Sequence, residues 1–150
     1  MKDFKEFQFG WVILIILIPV QVLLSYFYFN QLDSNPISTA GFFTITFVSL
    51  LAWFLFYGLK TTISNNVLTV SFGIGIIRKR IKIESIKSAR PTKNNHLYGW
   101  GIRFIPRGIL YNISGSEAIE LNFKDSHRVI RIGTQNTLRL QQEIVARLVN

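Results

Sequence analysis

The stretch FQFGWVILIILIPVQVLLSYFYFNQL, residues 7–32, holds no charged side chain, and neither does SNPISTAGFFTITFVSLLAWFLFYGL, residues 34–59. Only Asp33 separates the two runs. A helix rises about 1.5 Å per residue, so roughly 20 apolar residues cross the hydrocarbon core of a bilayer. The spacing predicts one helix over Gly10–Phe29, with thirteen Leu, Ile, Val or Phe residues, and a second over Gly41–Leu59, with eleven. On an insertion scale these are worth roughly 4–8 and 3–7 kcal/mol, more than Gln21 or the scattered Ser and Thr cost. Trp11 lies near one end of the first helix and Tyr26 and Tyr28 near the other, at the depths that amphipathic rings prefer. Pro19 falls inside it, where a membrane tolerates a kink.

Charge sets the expected orientation. The loop Asn30–Ala40 carries no Lys or Arg, whereas Lys2 and Lys5 precede the first helix and Lys60 and Arg78-Lys79-Arg80 follow the second. The positive-inside rule then places both termini in the cytoplasm and the loop outside. Ser38-Thr39-Ala40 resembles a signal-peptide cleavage site, but the apolar region before it is too long and ends too early. The expectation is a multi-pass protein of the bacterial plasma membrane, with an anchor at residues 1–60 and a cytoplasmic domain at residues 61–150.

The net charge of +9 belongs wholly to that domain. Residues 1–60 balance three Lys against three acids, and residues 61–150 hold 14 Lys or Arg against 5 acids. A basic domain tethered to a membrane faces an anionic leaflet. The chain has no cysteine, which excludes disulfides, thiol nucleophiles and thiolate metal sites.

From Thr61 onward, apolar residues alternate as in strands. Val67–Phe72 leads into a Gly73-Ile74-Gly75 turn; Ile77, Ile81 and Ile83 share one face, with Arg78, Arg80 and Lys82 on the other. Further strands are expected at Ile83–Pro91, Trp100–Ile105, Ile109–Ile113, Ala118–Phe123 and Arg128–Ile132. After Gly133 the period becomes helical: Thr134 is the expected N-cap, and Leu138, Val145 and Leu148 the apolar stripe, with Leu140 and Ile144 beside it. The expected fold is α+β: a transmembrane hairpin, then a bent sheet or partial barrel of about seven strands, closed by a C-terminal helix of about 15 residues.

The runs Tyr98-Gly99-Trp100-Gly101-Ile102-Arg103, Leu110-Tyr111-Asn112-Ile113-Ser114-Gly115, Ala118-Ile119-Glu120-Leu121 and Arg131-Ile132-Gly133-Thr134 resemble a group of bacterial membrane proteins. These carry a pleckstrin-homology-like (PH-like) domain behind two N-terminal transmembrane helices. The resemblance covers most of residues 60–150 and implies that fold and that location, but no activity. An acidic residue followed by proline is expected at the last helix start, where this chain has Gln135-Asn136-Thr137.

Candidate sites are basic. Arg78, Arg80 and Lys82 form a strand face near the anchor, suited to anionic headgroups at about 1 kcal/mol per charge near the surface; the plainer reading is positive charge that sets topology. Arg90, Lys93, Arg103 and Arg107 form a second anion patch if their loops converge. No nucleic-acid motif accompanies them, and Trp100, Phe104, Tyr111 and Phe123 are expected in the core. His127 lies near Asp125, yet Lys124–Arg128 looks like an exposed turn, and His96 has no such neighbour. No metal cluster, cofactor motif or catalytic constellation is legible, and Gly73-Ile74-Gly75 lacks the rest of a dinucleotide fingerprint. The function expected is therefore a non-enzymatic interaction module for a protein partner, for another copy of itself or for anionic lipid. The alternative is an accessory subunit recognised through its transmembrane helices by Gln21, Ser25 and Ser49.

Overall fold

The computed structural model describes residues 3–30, 36–95 and 98–148. In order the elements are β1 (Phe4–Phe9), α1 (Trp11–Asn30), α2 (Thr39–Phe56), β2 (Gly58–Ser64), β3 (Val67–Phe72), β4 (Arg78–Lys82), β5 (Ile86–Lys93), β6 (Gly101–Ile105), β7 (Gly108–Asn112), β8 (Glu117–Phe123), β9 (Val129–Gly133) and α3 (Thr137–Leu148). The chain is α+β: two long apolar helices, then sheets, then a C-terminal helix. Both α1 and α2 are long and apolar enough to cross a membrane, and little of either is buried by the rest of the chain. Ser38 caps α2 by accepting from the Gly41 N–H at 3.1 Å.

Among the described residues nine strands form two sheets rather than one sheet of about seven. The first runs β1-β2-β3-β4, the second β5-β8-β9-β7-β6. All pairings are antiparallel except β7 with β9. The two sheets enclose one core that includes Leu59, Ile63, Phe72, Ile83, Ile113, Ile119, Leu121 and Ile132. The β2–β3 hairpin closes on Asn65-Asn66, both at positive φ (48° and 58°), the conformation a two-residue turn requires and Asn tolerates.

Strand β1 was not anticipated, and it pairs with a strand that runs across residue 60. Phe4–Phe9 pairs with β2 from Phe4↔Ile63 to Phe9↔Gly58, and the Gly10 N–H donates to the Tyr57 carbonyl at 2.8 Å. Residues 57–59, expected at the end of the second helix, are a turn and the first strand residues. The two apolar helices are thus an insertion within a β-hairpin. β1 also reaches the C-terminal segment. The Thr134 hydroxyl donates to the Glu6 carboxylate at 2.7 Å, the Gln135 N–H donates to it at 2.7 Å, and the Gln8 amide donates to the Gly133 carbonyl at 2.6 Å.

The last helix differs in two ways from expectation. The helix starts at Thr137, so its cap is Asn136, whose Oδ1 accepts from the Arg139 N–H at 3.0 Å, while the Thr134 hydroxyl donates to Glu6 and accepts from the Asn136 N–H. Its buried row is Leu140, Ile144 and Leu148, while Leu138 and Val145 are exposed. The i, i+4 row docks on β5 and β8; Leu138 and Val145 lie around the helix from it. Arg147 is also buried, held by Glu143 on the preceding turn.

Candidate anion-binding faces

Strand direction divides the surface. β2 follows directly from α2, and the Gly73 N–H bonds the Gly58 carbonyl at 2.8 Å, so the Phe72–Gly75 turn lies beside the helix ends. At that turn Ile74 and Ile76 are 59% and 70% exposed. β4 then leads away from the helices. Arg78 pairs with Ser71 near the turn, whereas Lys82 pairs with Val67, about 13 Å farther along the strand. Lys82 also forms an exposed ion pair with Glu84 at 3.5 Å, which contributes little. Of the predicted trio, Arg78 is therefore placed nearest the apolar turn, Arg80 next, and Lys82 beyond a screening length at physiological salt.

The start of β6, with Trp100 and Ile102, brings a second apolar surface to the same end of the molecule, and Phe104 lies farther along the strand. Trp100, Ile102 and Phe104 do face the side of the sheet that carries Tyr111 and Ile109, since Ile102 pairs with Tyr111 and Phe104 with Ile109. Yet β6 is an edge strand that overhangs the core, and they are 38%, 38% and 87% exposed, against the expectation of core packing. Tyr111 is buried as expected, with its phenol pushed above its ordinary value by burial, and Phe123 is half-buried. Between β6 and the first turns of α1 lies a cleft of about 370 Å³, lined by Val12, Ile13, Ile16, Trp100, Ile102 and Arg103. The Arg103 Nε donates to the Trp100 carbonyl at 2.9 Å, which holds that side chain at the cleft. Aromatic rings gather at the same level, with Phe9 edge-on to Trp11 and Phe7 tilted against Tyr57.

The second predicted patch splits. Arg103 belongs to the junction cleft, and Lys93 sits across from Glu117 at the end of β5. Arg90 and Arg107 do converge, at the other end of the five-stranded sheet, with Lys87, Ser88, Asn122, Ser126 and His127 around a hollow of about 290 Å³. It adjoins an open cleft between the sheets, of about 630 Å³, that adds Lys79, Arg128 and the apolar side chains of Phe104, Ile109 and Ile130. Arg107, Phe123, Ser126 and His127 line both. Lys79, Lys87, Arg128 and His127 were not foreseen as members. The one sequence signal was Lys79, which falls on the apolar face of its strand between Ile77 and Ile81. His96 lies outside the described residues.

Within the helix pair, the Gln21 amide donates to the Thr46 hydroxyl at 2.8 Å and the Ser25 hydroxyl to the Gln21 carbonyl at 2.8 Å. Those groups are engaged inside the hairpin rather than offered to another helix. Ser49 also faces inward, on a hollow between the two helices. Among the described residues no group of His, Asp or Glu is arranged to hold a metal ion. No protein-family model, curated protein or solved structure matches the chain.

Proposed function

We propose that the chain is a membrane-anchored, non-enzymatic binding module, with a PH-like domain at the cytoplasmic face of the bacterial plasma membrane that lays one fixed face on the anionic leaflet. The observation that carries this reading is the continuity of β1 with α1 and of α2 with β2: both helices leave from adjacent, hydrogen-bonded strands. A domain tied at two points of one hairpin cannot swing as it would on a flexible tether, so the same surface always meets the lipid. That surface holds Ile74, Ile76, Trp100 and Ile102 as the apolar contact, with Arg78 and Arg103 at headgroup depth. Apolar rings and side chains at the interface with cations just above them are the arrangement that favours anionic lipid. Two sheets closed by a single C-terminal helix support the PH-like reading.

The test uses the full-length chain in nanodiscs, with a bimane fluorophore on Ile76→Cys and quenching doxyl chains on either phosphatidylglycerol or phosphatidylcholine. Anionic doxyl lipid is expected to quench several-fold more than the zwitterionic one, at about 1 kcal/mol per cation near the surface. Replacing Arg78, Arg80 and Lys82 together by Gln should bring the ratio toward one, with Arg78→Gln alone supplying most of the change. Equal quenching by the two lipids in the unmodified chain contradicts the reading.

A further inference from the structure

The groove at the far end of the five-stranded sheet is a different surface from the one assigned to lipid above. It lies four residues along the strands from the Gly101 end that meets α1, about 13 Å. Lys79, Lys87, Arg90, Arg107 and Arg128 converge there from two sheets and two turns. Among the described residues none of the five forms an ion pair. Most acids of the domain are placed elsewhere: Glu84 meets Lys82, Glu143 meets Arg147, and Glu117 lies at the opposite end of β8, while Glu120, directly across from Arg90, is already ion-paired with Arg131. Asp125, in the β8–β9 turn, is the nearest acid in sequence and does not line the groove. Lys87, Arg90 and Arg107 around the hollow, with Lys79 and Arg128 along the adjoining cleft, repel one another until an anion enters.

Arg107 is held there against its own backbone preference. Ile105 pairs with Gly108, so Pro106-Arg107 is a two-residue turn with Arg107 at φ 72°, a position that suits Gly or Asn. Its carbonyl accepts from the Val129 N–H at 2.9 Å, and a Cβ on Gly108 would overlap the Val129 carbonyl. The β9 backbone therefore packs so closely that the turn is held in place, with Arg107 lining both the polar hollow and the apolar cleft. Ser126 adds a hydroxyl whose oxygen already accepts from the Arg128 N–H at 3.1 Å, leaving its proton for a ligand.

We propose that this groove binds a phosphate ester with an apolar body. The phosphate sits among Lys87, Arg90, Arg107 and His127, where guanidinium forks match its oxygens and several cations match its double charge. The apolar part lies in the adjoining cleft on Phe104, Phe123 and Ile130. A phospholipid headgroup with the start of its chain and a free phosphorylated metabolite share this chemistry.

The experiment titrates the full-length chain, in nanodiscs of phosphatidylcholine alone, with 1-naphthyl phosphate, 1-naphthoate and inorganic pyrophosphate, read by calorimetry and by phosphorus NMR. Naphthyl phosphate is expected to bind saturably, pyrophosphate to compete, and naphthoate to bind at least about tenfold more weakly. Arg107→Gly removes the cation at a position glycine prefers, so it should keep or raise thermal stability while lowering affinity about tenfold or more. Arg90→Gln, on an exposed strand face, should do the same without touching the turn. Repeating the titration in nanodiscs containing phosphatidic acid separates the sources: competition by the disc assigns a lipid phosphate, and unchanged binding assigns a free one. Lack of saturable binding, equal binding of naphthoate, or unchanged affinity in both variants overturns the proposal. None of these outcomes bears on the Ile76 quenching ratio, so the two sites stand or fall separately.

Discussion

A chain that begins at Thr61 is expected not to fold. It lacks Phe4 and Leu59, which are 3% and 0% exposed in the shared core, and emptying a buried site of that size costs about 2–5 kcal/mol each. It also lacks the whole β1 ladder, exposes β2 as an unpaired edge, and removes the Glu6 and Gln8 bonds to Gly133, Thr134 and Gln135. The sum reaches the whole stability of an ordinary domain, about 5–15 kcal/mol. The opposite construction should succeed. Because Phe9 pairs with Gly58 and Gly10 bonds Tyr57, an Asn-Gly turn in place of residues 11–56 closes β1 and β2 as an ordinary hairpin. Residues 3–10 joined in this way to 57–150 should give a soluble domain with a cooperative thermal transition by circular dichroism, and the chain from Thr61 should give none. Equal transitions from the two would mean that β1 is dispensable and that the helices are a detachable tail.

The second large effect is expected at Gly73. Its φ is +48°, and an added Cβ would overlap the carbonyl oxygens of Phe54 and Leu55 in the last turn of α2. The strand end and helix end touch backbone to backbone there, so neither can withdraw without breaking the Gly73–Gly58 hydrogen bond. Gly73→Ala should cost about 3 kcal/mol or more, a fall in Tm of about 6–12 °C for a chain of this size. Gly75 is the control. Its φ of +90° also disfavours alanine, but a Cβ there meets nothing within 4 Å, so Gly75→Ala should cost only about 1 kcal/mol. Similar Tm falls for the two would locate the effect in backbone strain alone and remove the claim of a tight helix–sheet junction.

The parts of this fold that the sequence announced are those where pattern and burial agree. Unbroken apolar runs marked α1 and α2, and alternation marked the strands from Val67 to Ile132. β1 was concealed because its pattern is inverted: Gln8 is buried against Gly133 while Phe7 is about half exposed beside Tyr57. It also merges into the apolar run of α1 with only Gly10 between. β2 was concealed in the same way behind α2, although Leu59, Thr61 and Ile63 alternate with Lys60, Thr62 and Ser64. In α3, Leu138 and Val145 are apolar but lie off the i, i+4 row that meets β5 and β8. The exposure of Trp100 and Phe104 depends on β6 being an edge strand, which no single strand reveals.

The anion surfaces were legible only as residue types. Arg90 and Arg107 are seventeen positions apart, and what joins them is the order β5-β8-β9-β7-β6 together with the turn after Ile105. The same order carries Lys93 and Arg103 away from them. Lys79 enters from the other sheet, so its place in the cleft follows from how the two sheets stack.

The proposed placement at the membrane is tested most directly by cysteine accessibility, which is clean because the chain has no cysteine of its own. Ile37→Cys, between the two apolar helices, and Lys124→Cys, in the β8–β9 turn, are each exposed in intact spheroplasts to a membrane-impermeant maleimide. The account predicts labelling of Ile37→Cys in intact cells and of Lys124→Cys only after permeabilisation. The reverse pattern, or equal labelling of both in intact cells, would contradict it.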